Sequence, residues 1–334
     1  MEVERITTLE GLEEVREAWN ELLYSSGQNC IFLTNEWFSS WWKCFSEDNS
    51  MKILIFRDER GRVIGIAPLM LNGRILKFIA SQEVTDYCDF ITAKEIRNEF
   101  FKKFLEYVKL NFSEIEKIEL INIRHSSPTL AMLPELASGY ELTFTCLENG
   151  VIPYITLPSS YEEYLSGLDK KDRHELRRKL RRTYSLREIK TLRITERRKL
   201  QVHAEDFILF HKKSSPSKAK FWQRKGMTDF FSEIIDSFSL RGWVELNFLF
   251  CQGEIIAALL NFTYFNRVYF YNSAYNSNFA WYSPGLFLFD HSLRQAIKEQ
   301  KKEVNFLRGD ERYKYNFGAD ENSIFKIFLS FKVN

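Results

Sequence analysis

Near the C-terminal end of this 334-residue chain a polar run, Gly309-Asp310-Glu311-Arg312-Tyr313-Lys314, follows the short apolar stretch Val304-Asn305-Phe306-Leu307. Asp310 is of a type to hold or deprotonate an amine, Tyr313 to donate a proton and Lys314 to bind an anionic group. An ordinary polar loop containing an ion pair is the other reading of the same residues. Upstream, Asn272 and Tyr275 close a β-type run, and Ser283-Pro284-Gly285-Leu286 opens a helical one. The first turn of a helix has amide N–H groups without partners inside the helix, so that opening suits an anionic cofactor. A third group, Arg173, Arg177 and Arg178, lies on a basic helical stretch and suits an anionic ligand or RNA, or forms a solvated face. No interleaved aromatics of an RNA-binding kind accompany it. The five histidines, His125, His174, His203, His211 and His291, form no pair at metal-ligand spacing, and neither a G-x-S-x-G turn nor a Ser/His/Asp arrangement is present.

These residues need elements to position them. WVELNFLF, EIIAALLNFTYF and VYFYNSAY read as three strands joined by turns at Gln252-Gly253 and Asn266-Arg267, an antiparallel meander. A helix follows, with Leu286, Phe289, Leu293 and Ile297 at helical spacing behind Ser283 and Pro284, and then the short strand EVNFL. The same order occurs earlier. ILIFRDERGRVIGIAPLMLNGRILKFIAS aligns with LNFLFCQGEIIAALLNFTYFNRVYFYNSA so that Gly61 falls on Gly253 and Ile64 to Leu69 on Ile256 to Leu260. NEFFKKFLEYVK and IEKIELINI then stand where the later helix and strand stand, which points to an internal repeat of one α/β unit. The first copy has Asp86 and Asp89 in place of the Ser-Pro-Gly entrance, where an anion would be repelled. The second copy is therefore expected to hold the cofactor.

Ahead of the first copy, LEGLEEVREAWNELLYSSG reads as an amphipathic helix, and EWFSSWWKCF as a second, capped by Thr34 or Asn35, with its tryptophans in the core. Between the copies, a short helix at residues 129–137 and two strands around a turn at Glu148-Asn149-Gly150 form the linking region. Ser160 and Glu163 fit a capping box. Behind them Tyr161, Leu165, Leu168, Leu176 and Leu180 form an apolar stripe, with basic residues on the other faces.

Length and composition suit two domains, with 45% hydrophobic residues and 30 Phe to fill two cores. The sequence shows neither a signal peptide nor an uninterrupted apolar run of membrane-spanning length, so a soluble, intracellular (cytoplasmic) protein is expected. Cys30, Cys44, Cys88, Cys146 and Cys251 are odd in number and scattered, which argues against a disulfide framework or a zinc site and suggests core thiols. Net charge is only +2, yet residues 159–226 hold 20 Lys and Arg against 9 Asp and Glu. That asymmetry points to an anionic partner or to a solvated helix face.

The segments FLTNEWFSSWWKCF, VIGIAPLM, YLSGLDKKDRHELRRKLRR, YSPGLFLFDHSLRQAIKE and FLRGDERYKYNF, in that order, resemble the CelD/BcsL-type acetyltransferase family of the GNAT acyltransferases. That family is similar to the Fem-type aminoacyltransferases, which carry two GNAT-like units, and the resemblance runs from about Ser25 to Phe317. It implies an α/β (α+β) fold of tandem GNAT-like units with mixed, mostly antiparallel sheets flanked by helices. The expected domains are residues 1–150 and 151–334, the second carrying a basic helical insertion near 159–226 and the acyl-donor site. The implied donor is an acyl-coenzyme A, acetyl-coenzyme A first, without a metal. It would lie between the two splayed strands, near Asn272, with its pyrophosphate at Ser283, Gly285 and Leu286. That turn holds a single glycine where the common GNAT pattern, Q/R-x-x-G-x-G/A, holds more. Asp310, Tyr313, Lys314 and Tyr275 would be catalytic, and Arg173, Arg177 and Arg178 would contact an anionic acceptor or the donor's phosphates. The implied reaction is N-acyl transfer to an amine of a sugar, amino acid or envelope precursor. Aminoacyl transfer from tRNA, or a catalytically degenerate GNAT fold used for binding, are the alternatives.

Overall fold

A computed structural model describes residues 1–331. They form two compact units, Met1–Gly150 together with the chain from Asn322 on, and Val151–Glu321.

The first unit contains β1 (Glu2–Ile6), α1 (Leu9–Glu14), α2 (Arg16–Ser26), α3 (Asn35–Phe45), β2 (Ser50–Met51), β3 (Ile53–Arg57), β4 (Val63–Ala67), β5 (Leu69–Asn72), β6 (Ile75–Phe78), β7 (Ile91–Thr92), α4 (Arg97–Asn111), β8 (Lys117–Arg124) and α5 (Pro128–Gly139). Thr34 caps α3, its hydroxyl accepting from the Trp37 amide. The hairpin β3–β4 joins β1 and β7 in a four-stranded sheet, and β5 pairs antiparallel with β6. Pro68 separates β4 from β5 because it lacks an N–H, so what would be one strand serves two sheets. After α4 crosses over, β8 runs parallel to β6, Ile75 opposite Lys117 and Lys77 opposite Glu119. The core gathers Phe56, Phe78, Phe90, Phe100 and Phe104, each fully buried and worth about 1.5–3 kcal/mol on burial.

β9 (Leu142–Thr156) carries the chain into the second unit as one strand. The expected turn at Glu148-Asn149-Gly150 does not form, since Gly150 takes φ +122° within the strand and Asn149 is held by Asn122. Then come α6 (Tyr161–Gly167), α7 (Lys170–Tyr184), β10 (Ile189–Ile194), α8 (Arg197–Lys213), α9 (Pro216–Trp222), α10 (Met227–Ser239), β11 (Val244–Cys251), β12 (Glu254–Tyr264), β13 (Arg267–Tyr275), α11 (Pro284–Lys298), β14 (Glu303–Asn305), α12 (Arg312–Asn316) and β15 (Asp320–Phe331). The sheet order is β10-β11-β12-β13-β14, antiparallel until β13 and β14, which run parallel with Arg267 opposite Glu303 and Tyr269 opposite Asn305. The parallel pair joined by a crossover helix thus recurs as β6–β8 and β13–β14, and Gly61 and Gly253 take φ +77° and +83° at the corresponding turns.

Further expectations give way here. Residues 159–226 are integral, not inserted: Tyr164, Leu168, Leu176 and Leu180 pack into the second core, and β10 forms the edge of its sheet. The chain from Asn322 on leaves the second unit because β15 pairs with β8 and brings Ile327 and Leu329 into the first core. Asp89 sits at the start of α5 instead, beside its cap Ser127 and the first-turn residue Thr129. It is buried, accepts from Thr129 and from the Phe90 amide, and burial raises its pKa. Cys30, Cys88 and Cys251 are core thiols, but Cys146 is exposed. No described helix is long and apolar enough to cross a membrane.

Candidate functional site

In the second unit β13 and β14 pair over only three residues, and β13 continues past Tyr269 to Tyr275 without that neighbour. A register shift between Leu260 and Asn261 leaves Tyr271 as an extra residue on β13, just before Asn272 opposite Leu260. Bulges of this kind leave backbone groups unpaired and re-aim side chains. Beyond β13 the chain passes through a 3₁₀ turn, Ser277–Tyr282, and Ser283 adopts the left-handed region with φ 56° before α11 begins at Pro284.

That entry leaves an open helix end. Ser283 provides no side-chain cap and Pro284 has no N–H, so the Gly285 and Leu286 amides have no acceptor among the described residues. Tyr275 packs beside this turn, its ring at ordinary contact distance, 3.5 Å, from where a Cβ at Gly285 would sit. Tyr275 is exposed, and the ring flanks the open amides. The far end of α7 borders the same entry, where the Thr183 hydroxyl donates to the Tyr282 carbonyl at 2.5 Å and the Arg182 guanidinium lies 3.6 Å from the Trp281 ring centroid. The structure therefore brings together Tyr275, Ser283, Gly285 and Leu286, with Asn272 further back on the same strand.

The Asp310–Lys314 group does not form one cluster. Asp310 is exposed. Tyr313 stacks on Phe289 with ring centroids 5.4 Å apart, and burial, then the Glu311 carboxylate, pushes its pKa up. Its phenol is thus a weaker acid than an ordinary tyrosine. Lys314 is 2% exposed, and its ammonium donates to the carbonyls of Leu307, Arg308 and Gly309 at 3.2, 3.0 and 3.1 Å while pairing with Glu311 at 2.9 Å. The expected anion-binding role fails for Lys314, because these acceptors use the donors a ligand would need. Its position follows from α12, a short helix that turns residue 314 under the loop leaving β14.

The three arginines also separate by partner. Arg173 donates to the carbonyls of Leu165 and Ser166 at the end of α6, and Arg178 forms a bidentate pair with Glu175 at 2.7 and 2.6 Å. The Glu175 pair takes Arg178 out of the expected ligand-binding set. Arg177 is exposed and has no ion-pair partner among the described residues. Residues that sequence reasoning passed over also border these sites. Lys218 of α9, half-buried, donates to the Ser273 carbonyl of β13 at 2.5 Å, and burial lowers its pKa to about 8. Asp290, buried within α11, accepts from the Tyr161 hydroxyl at 2.5 Å and from Arg294 at 2.7 Å, fastening α6 to the helix that follows the open amides. A lysine within a Ser/Pro run and an acid within an apolar helix were the available signals.

Residues 170–315 match the model of a GNAT acetyltransferase domain, a span from α7 into α12 that contains the open helix end. No curated protein sequence matches the chain. Among solved structures, FemX is similar with a TM-score of 0.65 at 13% identity, over 99% of this chain and 98% of that one. The C-terminal domain of a lysylphosphatidylglycerol synthetase from Agrobacterium fabrum gives 0.60 at 12% identity over 95% and 92%. A tandem GNAT protein from the clavulanic acid biosynthesis pathway gives 0.55 at 9% identity over 100% of both chains. At these identities the likeness concerns the fold, which is of the tandem GNAT kind, and the domain match supports a transferase.

Proposed function

We propose that the chain is an N-acyltransferase that moves an acyl group, acetyl first, from acyl-coenzyme A to an amine of a sugar, amino acid or cell-envelope precursor. The observation that carries this reading is the open start of α11, two unpartnered amides beside the diverging end of β13, within the span matching a GNAT domain. In this reading the donor's pyrophosphate accepts from Gly285 and Leu286, where the helix dipole also favours negative charge. The thioester then lies along the unpaired end of β13, near Asn272. The amine nitrogen attacks the thioester carbonyl carbon; the C–N bond forms and the C–S bond breaks. One amine proton leaves through Asp310 or water, and the departing thiolate takes a proton from a tyrosine. Tyr275, beside the open amides, suits that donation better than Tyr313, whose acidity burial weakens. Calorimetric titration with coenzyme A and acetyl-coenzyme A tests the donor, and absence of saturation at millimolar ligand would remove it.

A second reading, aminoacyl transfer from tRNA, is favoured by the cationic face of α7. It requires binding that weakens steeply with salt, as many phosphate contacts do.

A further inference from the structure

The second unit holds a cavity of about 980 Å³ between the N-terminal half of α7 and α12. Lys170, Lys171, Arg173, Arg177 and Lys179 line it from α7, and Arg312 faces them from α12. Two carboxylates share the wall, and protein groups already engage both. Asp172 accepts from Asn316 at 2.8 Å, and Glu175 is held by Arg178 and Lys179. Lys170, Lys171, Arg177 and Arg312 have no ion-pair partner among the described residues. A solvated helix face accounts for cations on α7 alone; it does not account for Arg312, which a separate element turns into the same concavity. Unpaired like charges gathered across two elements repel one another, and a bound anion relieves that repulsion.

We propose that this cavity binds a phosphate ester or diphosphate carried by the acceptor substrate, an inference that rests on the acyl-transfer reading. A phosphate group brings up to about two negative charges and pairs bidentately with guanidinium, which suits four open cations better than a lone carboxylate does. The cavity is separate from the open start of α11. The cavity runs along α7 as far as Lys179, but its open α7 cations, Lys170, Lys171 and Arg177, lie six to thirteen residues before Thr183, which contacts the entry to α11, or about 9–20 Å along the helix at about 1.5 Å per residue. The donor's pyrophosphate and the cavity's anion are therefore distinct, and Arg312 sets the second beside the segment that carries Tyr313. Apart from the His174 imidazole, no aromatic side chain lines the cavity, and a single small ring is a poor stacking platform for bases, which favours a phosphate headgroup over RNA.

The test is calorimetric titration of the full chain with inorganic pyrophosphate and, separately, with coenzyme A. It compares wild type, Arg177→Ala/Arg312→Ala, and a control, Arg198→Ala, that removes a cation elsewhere. The double variant should bind pyrophosphate at least about tenfold more weakly, as loss of charge-assisted hydrogen bonds predicts, while coenzyme A binding and the melting temperature stay unchanged. Co-sedimentation with phosphatidylglycerol and phosphatidylcholine vesicles separates the sources. Capture by the anionic vesicles that the double variant loses assigns a lipid headgroup, and pyrophosphate binding without vesicle capture assigns a soluble phosphate ester. Equal pyrophosphate affinity in wild type and double variant overturns the proposal, as does an RNA oligonucleotide that outcompetes pyrophosphate with a steep salt dependence. If coenzyme A fails to bind but the pyrophosphate effect holds, the donor reading falls and the phosphate site stands.

Discussion

Single side chains in this protein divide into those that hold the backbone and those that face a cleft. Lys314 holds the backbone, since its ammonium gathers three carbonyls of the loop after β14. Lys314→Ala is therefore expected to lose about 2–4 kcal/mol in urea unfolding rather than to raise a KM, because the carbonyls are left without donors. Tyr275→Phe should keep the fold and lower turnover on the order of 100-fold if its hydroxyl protonates the leaving thiolate, whereas Tyr313→Phe should change turnover far less. Steady-state rates of the two variants with acetyl-coenzyme A decide between them, and the reverse order would restore Tyr313 as the acid. His211 gives a pH test. It accepts from the Trp222 indole N–H at 2.9 Å, and burial, then Lys218, lowers its pKa from 6.5 to about 3. Above pH 6.5 the imidazole is neutral in both states and contributes no slope. Between 6.5 and about 3 the unfolded chain takes up a proton that the folded chain refuses, so stability falls as pH falls, by at most about 1.4 kcal/mol per pH unit. His211→Gln, which keeps an acceptor and does not titrate, should flatten the acid limb of the stability curve.

Among the elements, α11 is held through its interior and left open at its start. Its N-terminal turn is left open, while Asp290, one turn further in, ties it to α6 through Tyr161 and to Arg294, whose guanidinium lies 3.7 Å from the Tyr161 ring centroid. Asp290→Ala leaves that guanidinium and hydroxyl without their acceptor, and a loss of about 3 kcal/mol on chemical denaturation is expected. If Asp290→Ala proves neutral, the network is dispensable and packing alone positions α11. In the first unit the β4 strand meets α4 where Gly65 faces Phe100. A Cβ at Gly65 would sit 2.4 Å from the ring, so Gly65→Ala should cost about 1–3 kcal/mol through overpacking, read from the shift in denaturation midpoint.

At the scale of the chain, β15 makes the first unit depend on residues more than 200 positions from its start. Truncation after Glu321 removes Ile324, Ile327 and Leu329, each fully buried and worth about 1.5–3 kcal/mol. The expected outcome is protease sensitivity within residues 1–150, detected by mass spectrometry of the fragments.

Local spacing in the sequence was enough for the repeated meander, the crossover helices and the helix start at Ser283, because hydrophobic period and turn chemistry are properties of neighbouring residues. The polar run at Asp310–Lys314 was equally visible, but the roles of its members were not. Whether a lysine meets a ligand or three carbonyls depends on how α12 folds under the loop, and whether an arginine is free depends on a glutamate one turn away. Arg312, Lys218 and Asp290 gained their neighbours only when α7, β13 and α6 packed against them, from up to 142 positions distant in the case of Arg312 and Lys170. Strand β15 shows the same division. Its alternating apolar residues mark a strand, but its pairing with β8 is a non-local contact, fixed by which core can bury Ile327 and Leu329.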